Sequence, residues 1–185
     1  MMARVETPIC KFDEPAKPFY LLGIDGKYHS LESCKAEAGL LVMFICNHCP
    51  YVQAILPRLL VQVKELQQEG IGVVAICSND ANTYPEDSFE NMQLLGEKWQ
   101  LSFPYLWDET QAVAKEYGAV CTPDFFGYNN NLLLQYRGRL DASGREPASL
   151  DAKPELVLAM RQIAMSGKGP FEQIPSMGCS IKWKS

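Results

Sequence analysis

A change in the spacing of apolar residues separates a strand from a helix in the first half of the chain. Residues 39–45 are almost uninterruptedly apolar, as in a strand buried on both faces of a sheet. From Pro50 onward the apolar residues recur at helical spacing until Gly70. A second apolar run, residues 71–77, follows at once. Strand, helix and strand in this order predict a right-handed βαβ unit with two parallel strands.

Shorter segments on either side of this unit complete an α/β pattern. Thr83-x-x-Glu86 has the spacing of a capping box at the start of a helix. Pro104 favours a sheet-edge position for its strand, because proline cannot donate a ladder hydrogen bond. The expected strands cover residues 19–24, 28–31, 103–107, 125–128 and 132–136, and the expected helices cover residues 89–99, a short segment ending at 117, and 153–166.

The length of 185 residues suits one domain with a well-buried core, and we expect residues 1–185 to form it. Residues 1–18 read as an extended arm, and residues 167–185 as a tail rich in proline and glycine. The net charge is −5 and the 17 basic residues are scattered, which predicts neither a nucleic-acid nor a membrane-surface partner. No hydrophobic signal core begins the chain, so a cytoplasmic location is expected.

The most informative motif, Cys46-Asn47-His48-Cys49, lies in the turn between the first apolar strand and the helix. Unpaired backbone N–H groups and the helix dipole stabilise a thiolate at such a place. A C-x-x-C pair in this setting indicates thiol–disulfide or thiol–peroxide chemistry, since the thiolate is the reactive form. His48 either stabilises the Cys46 thiolate or is a solvated polar residue of the first turn.

A zinc site is the alternative reading of the same two cysteines. Structural zinc takes four ligands and therefore needs a second pair of ligands. The sequence has no second C-x-x-C, and the only other histidine is His29. We therefore expect no metal at Cys46 and Cys49, and no organic cofactor.

Four motifs together resemble a peroxiredoxin-like group of bacterial thioredoxin-fold proteins, within the alkyl hydroperoxide reductase and thiol-specific antioxidant branch. The resemblance covers about residues 12–184. It implies an α/β, thioredoxin-like fold, with a central mixed sheet flanked by helices, an N-terminal β-hairpin and a peroxiredoxin-type insertion. The motifs are FICNHCPYV at 44–52, CTPDFF at 121–126, YRGRLD at 136–141 and GCSIKW at 178–183.

The resemblance also implies roles for individual residues. Cys46 matches the exposed nucleophile of thioredoxins, and Cys49 matches their resolving cysteine and also the peroxidatic cysteine of peroxiredoxins. Pro123 matches the cis-proline that faces the disulfide. The chain departs from peroxiredoxins because Val42 and Cys46 replace their activating proline and threonine, and Pro123 stands where their arginine aligns. It departs from thioredoxins because the strand before Cys46 carries no acid.

Two further cysteines are candidate redox thiols. Cys121 precedes Pro123 by two residues and is either a buried inert thiol or a third redox thiol near the motif. Cys179 lies four residues before Trp183, a spacing that resembles the resolving tail of two-cysteine peroxiredoxins. Its alternative is a structural role, because Cys46 is already a neighbour of Cys49.

The function expected first is a thiol–disulfide oxidoreductase. A thiol peroxidase with Cys49 as peroxidatic residue is the alternative. A non-enzymatic redox sensor or binding module with the same cysteines also stays open. The expected substrates are disulfide-containing proteins, small disulfides or peroxides, and the expected electron donor is a thioredoxin- or glutathione-type reductant.

Overall fold

The computed structural model describes residues 3–185, which form two β-sheets and five α-helices. The helices are α1 (Leu31–Cys34), α2 (Pro50–Gln68), α3 (Phe89–Trp99), α4 (Ala112–Tyr117) and α5 (Glu155–Ser166). The strands are β1 (Arg4–Glu6), β2 (Tyr20–Gly23), β3 (Tyr28–Ser30), β4 (Gly39–Phe44), β5 (Ile71–Cys77), β6 (Tyr105–Trp107), β7 (Cys121–Thr122), β8 (Asp124–Tyr128), β9 (Leu134–Tyr136) and β10 (Met177–Ser180).

A seven-stranded mixed sheet, in the order β3-β2-β6-β5-β4-β8-β9, forms the centre of the fold. Strand β4 is parallel to β5 on one side and antiparallel to β8 on the other. Strands β4 and β5 with α2 between them form the expected βαβ unit. The expected α/β architecture with a central mixed sheet and flanking helices is therefore confirmed.

Every residue of β4 is buried, because helices cover both faces of the sheet. Leu41 and Met43 pack in one core cluster with the apolar faces of α2 and α5. Leu40 and Val42 point the other way and pack in a second cluster with residues of α4. This alternation agrees with the uniformly apolar sequence of the strand. Among the helices of residues 3–185, none is long and apolar enough to cross a lipid bilayer.

Strand β6 is not at an edge, so the expectation drawn from Pro104 is wrong. It lies inside the sheet, parallel to β5 and antiparallel to β2. Pro104 immediately precedes the strand, and its carbonyl oxygen accepts a hydrogen bond from the Ala75 N–H at 2.9 Å. A proline at this point supplies an acceptor and removes no donor from the strand that follows.

The start of α3 also differs from the expectation. Ser88, not Thr83, is the N-cap residue, and its side chain accepts a hydrogen bond from the Asn91 N–H at 3.3 Å. The Thr83 hydroxyl instead donates to Asp80 Oδ2 at 2.6 Å. A short 3-10 turn over Pro85–Asp87 separates this local interaction from the helix.

The two ends of the chain meet in a second, three-stranded sheet with the order β1-β10-β7. Strand β10 is antiparallel to both neighbours, with Arg4 opposite Cys179 and Cys179 opposite Thr122. The described part of the expected N-terminal arm and the expected C-terminal tail thus each contribute a strand. The tail is held on both sides at this point.

Candidate active site

The two motif cysteines lie between the end of β4 and the start of α2. Cys49 is the N-cap residue of α2, with Pro50 as the first helical residue. Both cysteines are buried, since Cys46 is 2% exposed and Cys49 is 0% exposed. The burial of Cys46 differs from the exposed nucleophile that the resemblance implied. A substrate therefore reaches its sulfur only if neighbouring groups move.

The peptide bond between Thr122 and Pro123 is cis, as the resemblance implied. The Sγ atom of Cys49 lies 3.2 Å from the Thr122 carbonyl oxygen. The Sγ atom of Cys46 lies 3.4 Å from the Thr122 hydroxyl oxygen. Thr122 therefore contacts both sulfurs, and the residue next to it is the cis-proline.

The surroundings of Cys49 lower its pKa to about 5. The largest cause is the neighbouring Cys46 thiol, and Thr122 and the Val52 backbone N–H act in the same direction against the effect of burial. The pKa of Cys46 is raised well above its usual range by the Cys49 thiolate, by burial and by the charge of Asp87. The reduced pair therefore holds its thiolate on Cys49 and its proton on Cys46.

A buried carboxylate, Asp87, lies beside the motif although no acid occurs in β4. Asp87 is 0% exposed and ends the 3-10 turn before α3. Its Oδ1 accepts the backbone N–H of Asn47 at 2.8 Å, and its Oδ2 accepts the Asn79 side-chain amide at 2.7 Å. Sequence reasoning missed Asp87 because it belongs to a different element from the motif.

His48 lies between Asp87 and the solvent. Its Nδ1 is 2.6 Å from Asp87 Oδ2, in an ion-pair contact rather than an aligned hydrogen bond. The imidazole ring stacks on Tyr84 with 5.7 Å between ring centres and 7° between their planes. Neither ring nitrogen has an aligned hydrogen-bond partner among residues 3–185. The imidazole is thus packed in place, and both of its nitrogens are buried.

These residues are also the ones that could hold a metal ion. Three ligand atoms, one from each of Cys46, His48 and Asp87, lie within 4.8 Å of one another. A closed structural zinc site takes four ligands, and a catalytic one takes three together with water. Both oxygens of Asp87 accept N–H hydrogen bonds, and each keeps a second lone pair. The set therefore supplies three candidate ligand atoms, one fewer than a closed structural zinc site takes.

The structure brings Cys179 to the motif and leaves Cys121 against the backbone. Cys179 lies near Cys49, and burial followed by the interaction with Cys49 raises the pKa of Cys179 to about 12. The Cys121 thiol lies 3.7 Å from the Pro123 carbonyl oxygen, and burial raises its pKa strongly. Cys49 thus has two thiol neighbours, Cys46 and Cys179.

A buried ion pair anchors the turn that carries the cis-proline. Arg137 Nη2 donates to Asp124 Oδ2 at 2.9 Å, and the guanidinium also lies 4.5 Å from the centre of the Phe126 ring. Asp124 immediately follows Pro123. Arg137 therefore forms a buried ion pair with the residue that follows the cis-proline.

Comparisons with known proteins agree with this architecture. The model of the AhpC/TSA family matches residues 12–143. No curated protein matches the chain. An uncharacterized conserved protein from Geobacillus kaustophilus has 42% identity and a TM-score of 0.93, over 100% of this chain and 98% of that one. A hypothetical protein from Sinorhizobium meliloti has 34% identity and a TM-score of 0.89, over 100% of both chains.

More distant solved structures confirm the fold. The thioredoxin domain of a thiol-disulfide oxidoreductase from Bacteroides vulgatus superposes with a TM-score of 0.58. The match covers 68% of this chain and 86% of that domain, at 16% identity. At that identity the likeness establishes a thioredoxin-like fold and nothing about activity.

Proposed function

The chain belongs to the AhpC/TSA family, and we propose that it is a thiol–disulfide oxidoreductase in which Cys46 and Cys49 cycle between a dithiol and a disulfide. The observation that carries the proposal is the contact of both sulfurs with Thr122, next to the cis-proline, at 3.4 Å for Cys46 and 3.2 Å for Cys49. The opposite pKa shifts of the two thiols, lowered for Cys49 and raised for Cys46, support the same chemistry. Two successive exchange steps need one deprotonated and one protonated sulfur.

The proposed reaction proceeds through a mixed disulfide. Cys46, the first cysteine of the motif, transfers its proton to the Cys49 thiolate and attacks one sulfur of the substrate disulfide. The substrate S–S bond breaks, and one substrate thiolate leaves and takes a proton from water. Cys49 then attacks the Cys46 sulfur, its proton passes to the second leaving thiolate, and the Cys46–Cys49 disulfide forms. The substrate gains two electrons, and the protein loses them.

Asp87 and His48 act in this proposal as positioning residues. The Asp87 carboxylate holds the Asn47 and His48 backbone N–H groups and thereby fixes the loop between the cysteines. Its negative charge keeps the proton on Cys46 until substrate arrives, since a nearby anion disfavours a thiolate. The His48 imidazole separates that charge from the incoming substrate.

Completion of the cycle requires an electron donor, which we propose to be a thioredoxin- or glutathione-type thiol in the cytoplasm. Such a thiol returns two electrons by the reverse exchange, so no organic cofactor or metal takes part in the cycle. A protein disulfide or a small disulfide is the proposed oxidising substrate.

A thiol peroxidase is the second candidate, and the low pKa of Cys49 favours it. The Cys49 thiolate would attack a peroxide oxygen, breaking the O–O bond, releasing an alcohol or water and leaving a sulfenic acid. Cys46 would then attack that sulfenic acid, and the disulfide would form with release of water. Val42 and Pro123 stand where peroxiredoxins carry activating residues, so we rank this reaction second.

Turnover assays separate these candidates from each other and from a non-enzymatic module. The reduced protein, Cys46→Ser and Cys49→Ser are assayed with a protein disulfide and with hydrogen peroxide. The proposal expects catalytic disulfide reduction that either substitution abolishes, and peroxide reduction far below the diffusion ceiling of about 10⁸ M⁻¹s⁻¹. Peroxide reduction near that ceiling would reverse the ranking, and absence of turnover with both substrates would favour a binding module or sensor.

A further inference from the structure

A cavity of about 630 Å³ opens directly beside the cis-proline. Pro123 and Phe125 form part of its wall, and the first turns of α2 contribute Tyr51 and Ile55. The loop after β9 and the segment before β10 close its other sides. Cavities of this size, roughly 300–1,000 Å³, hold small molecules rather than folded partners. The wall at Pro123 is one residue away from Thr122, which contacts both motif sulfurs.

The charged residues of this cavity divide into paired and unpaired groups. Arg58 and Arg139 form ion pairs with Asp141 and Glu155, and these pairs fix the wall. The other charged lining residues form no ion pair within residues 3–185: Arg4, Glu6, Arg145 and Glu146. Around an apolar floor, the cavity therefore presents two guanidinium groups and two carboxylates that form no ion pair with any described residue, and Arg4 Nε also donates to Met177 Sδ.

Arg145 is held in position for a ligand. Its guanidinium lies over the Tyr51 ring, 5.1 Å from the ring centre. Stacking on an aromatic face leaves the N–H groups at the edge of the guanidinium plane available for hydrogen bonds. A planar fork of this kind recognises a carboxylate with two parallel hydrogen bonds. Tyr51 follows Cys49 by two residues, so this fork lies close to the motif.

We propose that the cavity binds a low-molecular-weight peptide thiol, or its disulfide, that carries both carboxylate and ammonium groups. The arginines Arg4 and Arg145 bind its carboxylates, and Glu6 and Glu146 bind its ammonium group. The ligand's sulfur then lies toward Pro123 and the motif sulfurs. This assignment rests on the proposed function and deepens it, because it selects a small zwitterionic disulfide over a protein disulfide as the preferred substrate.

The chemical step is the exchange described above, with the peptide disulfide as oxidant. Cys46 attacks one ligand sulfur, the ligand S–S bond breaks, and one peptide thiol leaves with a proton from water. Cys49 then displaces the second peptide thiol and closes the protein disulfide. The protein loses two electrons, and the ligand disulfide gains them and becomes two thiols. A thioredoxin-type thiol, not a second copy of the peptide thiol, then returns two electrons to the protein.

The experiment uses the full chain with three probes. S-methylglutathione, which cannot exchange, reports binding alone by calorimetry. Glutathione disulfide reports turnover of a zwitterionic substrate, and hydroxyethyl disulfide reports turnover of an uncharged one. Wild type is compared with the double variant Arg4→Gln/Arg145→Gln. The matched control is Arg161→Gln, a surface arginine paired with Glu65 and Glu69 outside the cavity.

We expect the double variant to lose binding affinity and kcat/KM for the zwitterionic probes only. A charge-assisted hydrogen bond contributes more than the 1.4 kcal/mol that corresponds to tenfold, so the double variant should bind S-methylglutathione at least about tenfold more weakly. Its kcat/KM for glutathione disulfide should fall by a similar factor through KM, with hydroxyethyl disulfide unaffected. Arg161→Gln should match wild type with every probe.

Different results overturn the ligand assignment and the proposed function. Wild type that reduces hydroxyethyl disulfide but does not bind S-methylglutathione would overturn the ligand assignment and leave the function standing. An equal fall in kcat/KM for both disulfides in the double variant would also overturn the ligand assignment. S-methylglutathione binding that depends on the arginines, without turnover of either disulfide, would support the ligand assignment and overturn the proposed function.

Discussion

The Cys49 thiol lies 3.2 Å from the Thr122 carbonyl oxygen, so the N-terminus of α2 and the cis-proline turn meet at one sulfur. Thr122 also lies opposite Cys179 across the β7–β10 pairing. The Cys46 thiol lowers the pKa of Cys49 most, and Thr122, the Val52 backbone N–H and Cys179 lower it further against the effect of burial. Cys49 is therefore the sulfur at which the helix, the turn and the strand converge.

The stability of the reduced protein should depend on pH through Cys49. Its pKa in the fold is about 5, below the usual 9.0, so its ionisation stabilises the fold fully above pH 9 and this contribution is lost as pH falls toward 5. The free energy of unfolding in urea, measured with reductant over this range, should fall more steeply for wild type than for Cys49→Ser. Parallel curves for the two proteins would show that Cys49 stays protonated.

Asp87→Asn and His48→Ala should shift the redox potential in opposite directions. Loss of the Asp87 charge lowers the pKa of Cys46, stabilises the dithiol and makes the couple more oxidising, by about 10–30 mV. Loss of the His48 ring removes an imidazole nitrogen within 4.8 Å of the Cys46 sulfur, destabilises the Cys46 thiolate and makes the couple more reducing. Equilibration with dithiothreitol redox buffers measures both shifts.

Glu86→Gln is the matched control for the Asp87→Asn and His48→Ala variants. It removes an exposed negative charge from the 3-10 turn that also carries Asp87. Its potential should equal that of wild type. A shift as large as that of Asp87→Asn would mean that general charge, and not the buried carboxylate, tunes the couple. Shifts of the same sign in Asp87→Asn and His48→Ala would contradict the assigned roles.

Mixed disulfides should accumulate on Cys46 and not on Cys49. In Cys49→Ser the first exchange step proceeds and the second cannot, so a substrate adduct on Cys46 persists. The adduct is detected as a mass increase by one substrate thiol, mapped to the peptide that contains residue 46. A stable adduct in Cys46→Ser, with none in Cys49→Ser, would reverse the order of attack.

Peroxide should bridge Cys49 and Cys179 in the Cys46→Ser variant. With Cys46 absent, the Cys49 sulfenic acid has Cys179 as its neighbouring thiol, and attack by that thiol releases water and forms the bridge. Because β10 pairs with β7 of the same chain, the product should run as a monomer on non-reducing gels. The control Cys46→Ser/Cys121→Ser should behave identically. Sulfinic acid on Cys49 with a free Cys179 would assign a structural role to the tail cysteine.

The elements closest to the motif could be predicted because their signals are local. The uniform apolar run of β4 and the helical spacing of α2 place both cysteines in one turn without knowledge of the rest of the fold. The cis-proline at Pro123 was predictable only through the family resemblance, since an X-Pro bond in one sequence carries no sign of its isomer.

Features that depend on tertiary pairing could not be read from the sequence. Asp87 reaches Asn47 from a turn beyond β5, and no spacing rule links the two positions. The internal position of β6 follows from pairing with β2 and β5, which outweighs the edge preference of Pro104. The restraint on Cys179 likewise arises from pairing of β10 with β1, a strand from the other end of the chain.

The most direct test of the central claim is disulfide mapping of the oxidised protein. The protein is oxidised with one equivalent of a small disulfide, and its free thiols are then alkylated. The digested protein is analysed by mass spectrometry before and after reduction. We predict the loss of two hydrogens in one peptide containing both Cys46 and Cys49, reversed on reduction, with the other five cysteines alkylated throughout. A principal disulfide that joins any other pair of cysteines, or no disulfide at all, would contradict the Cys46–Cys49 redox couple.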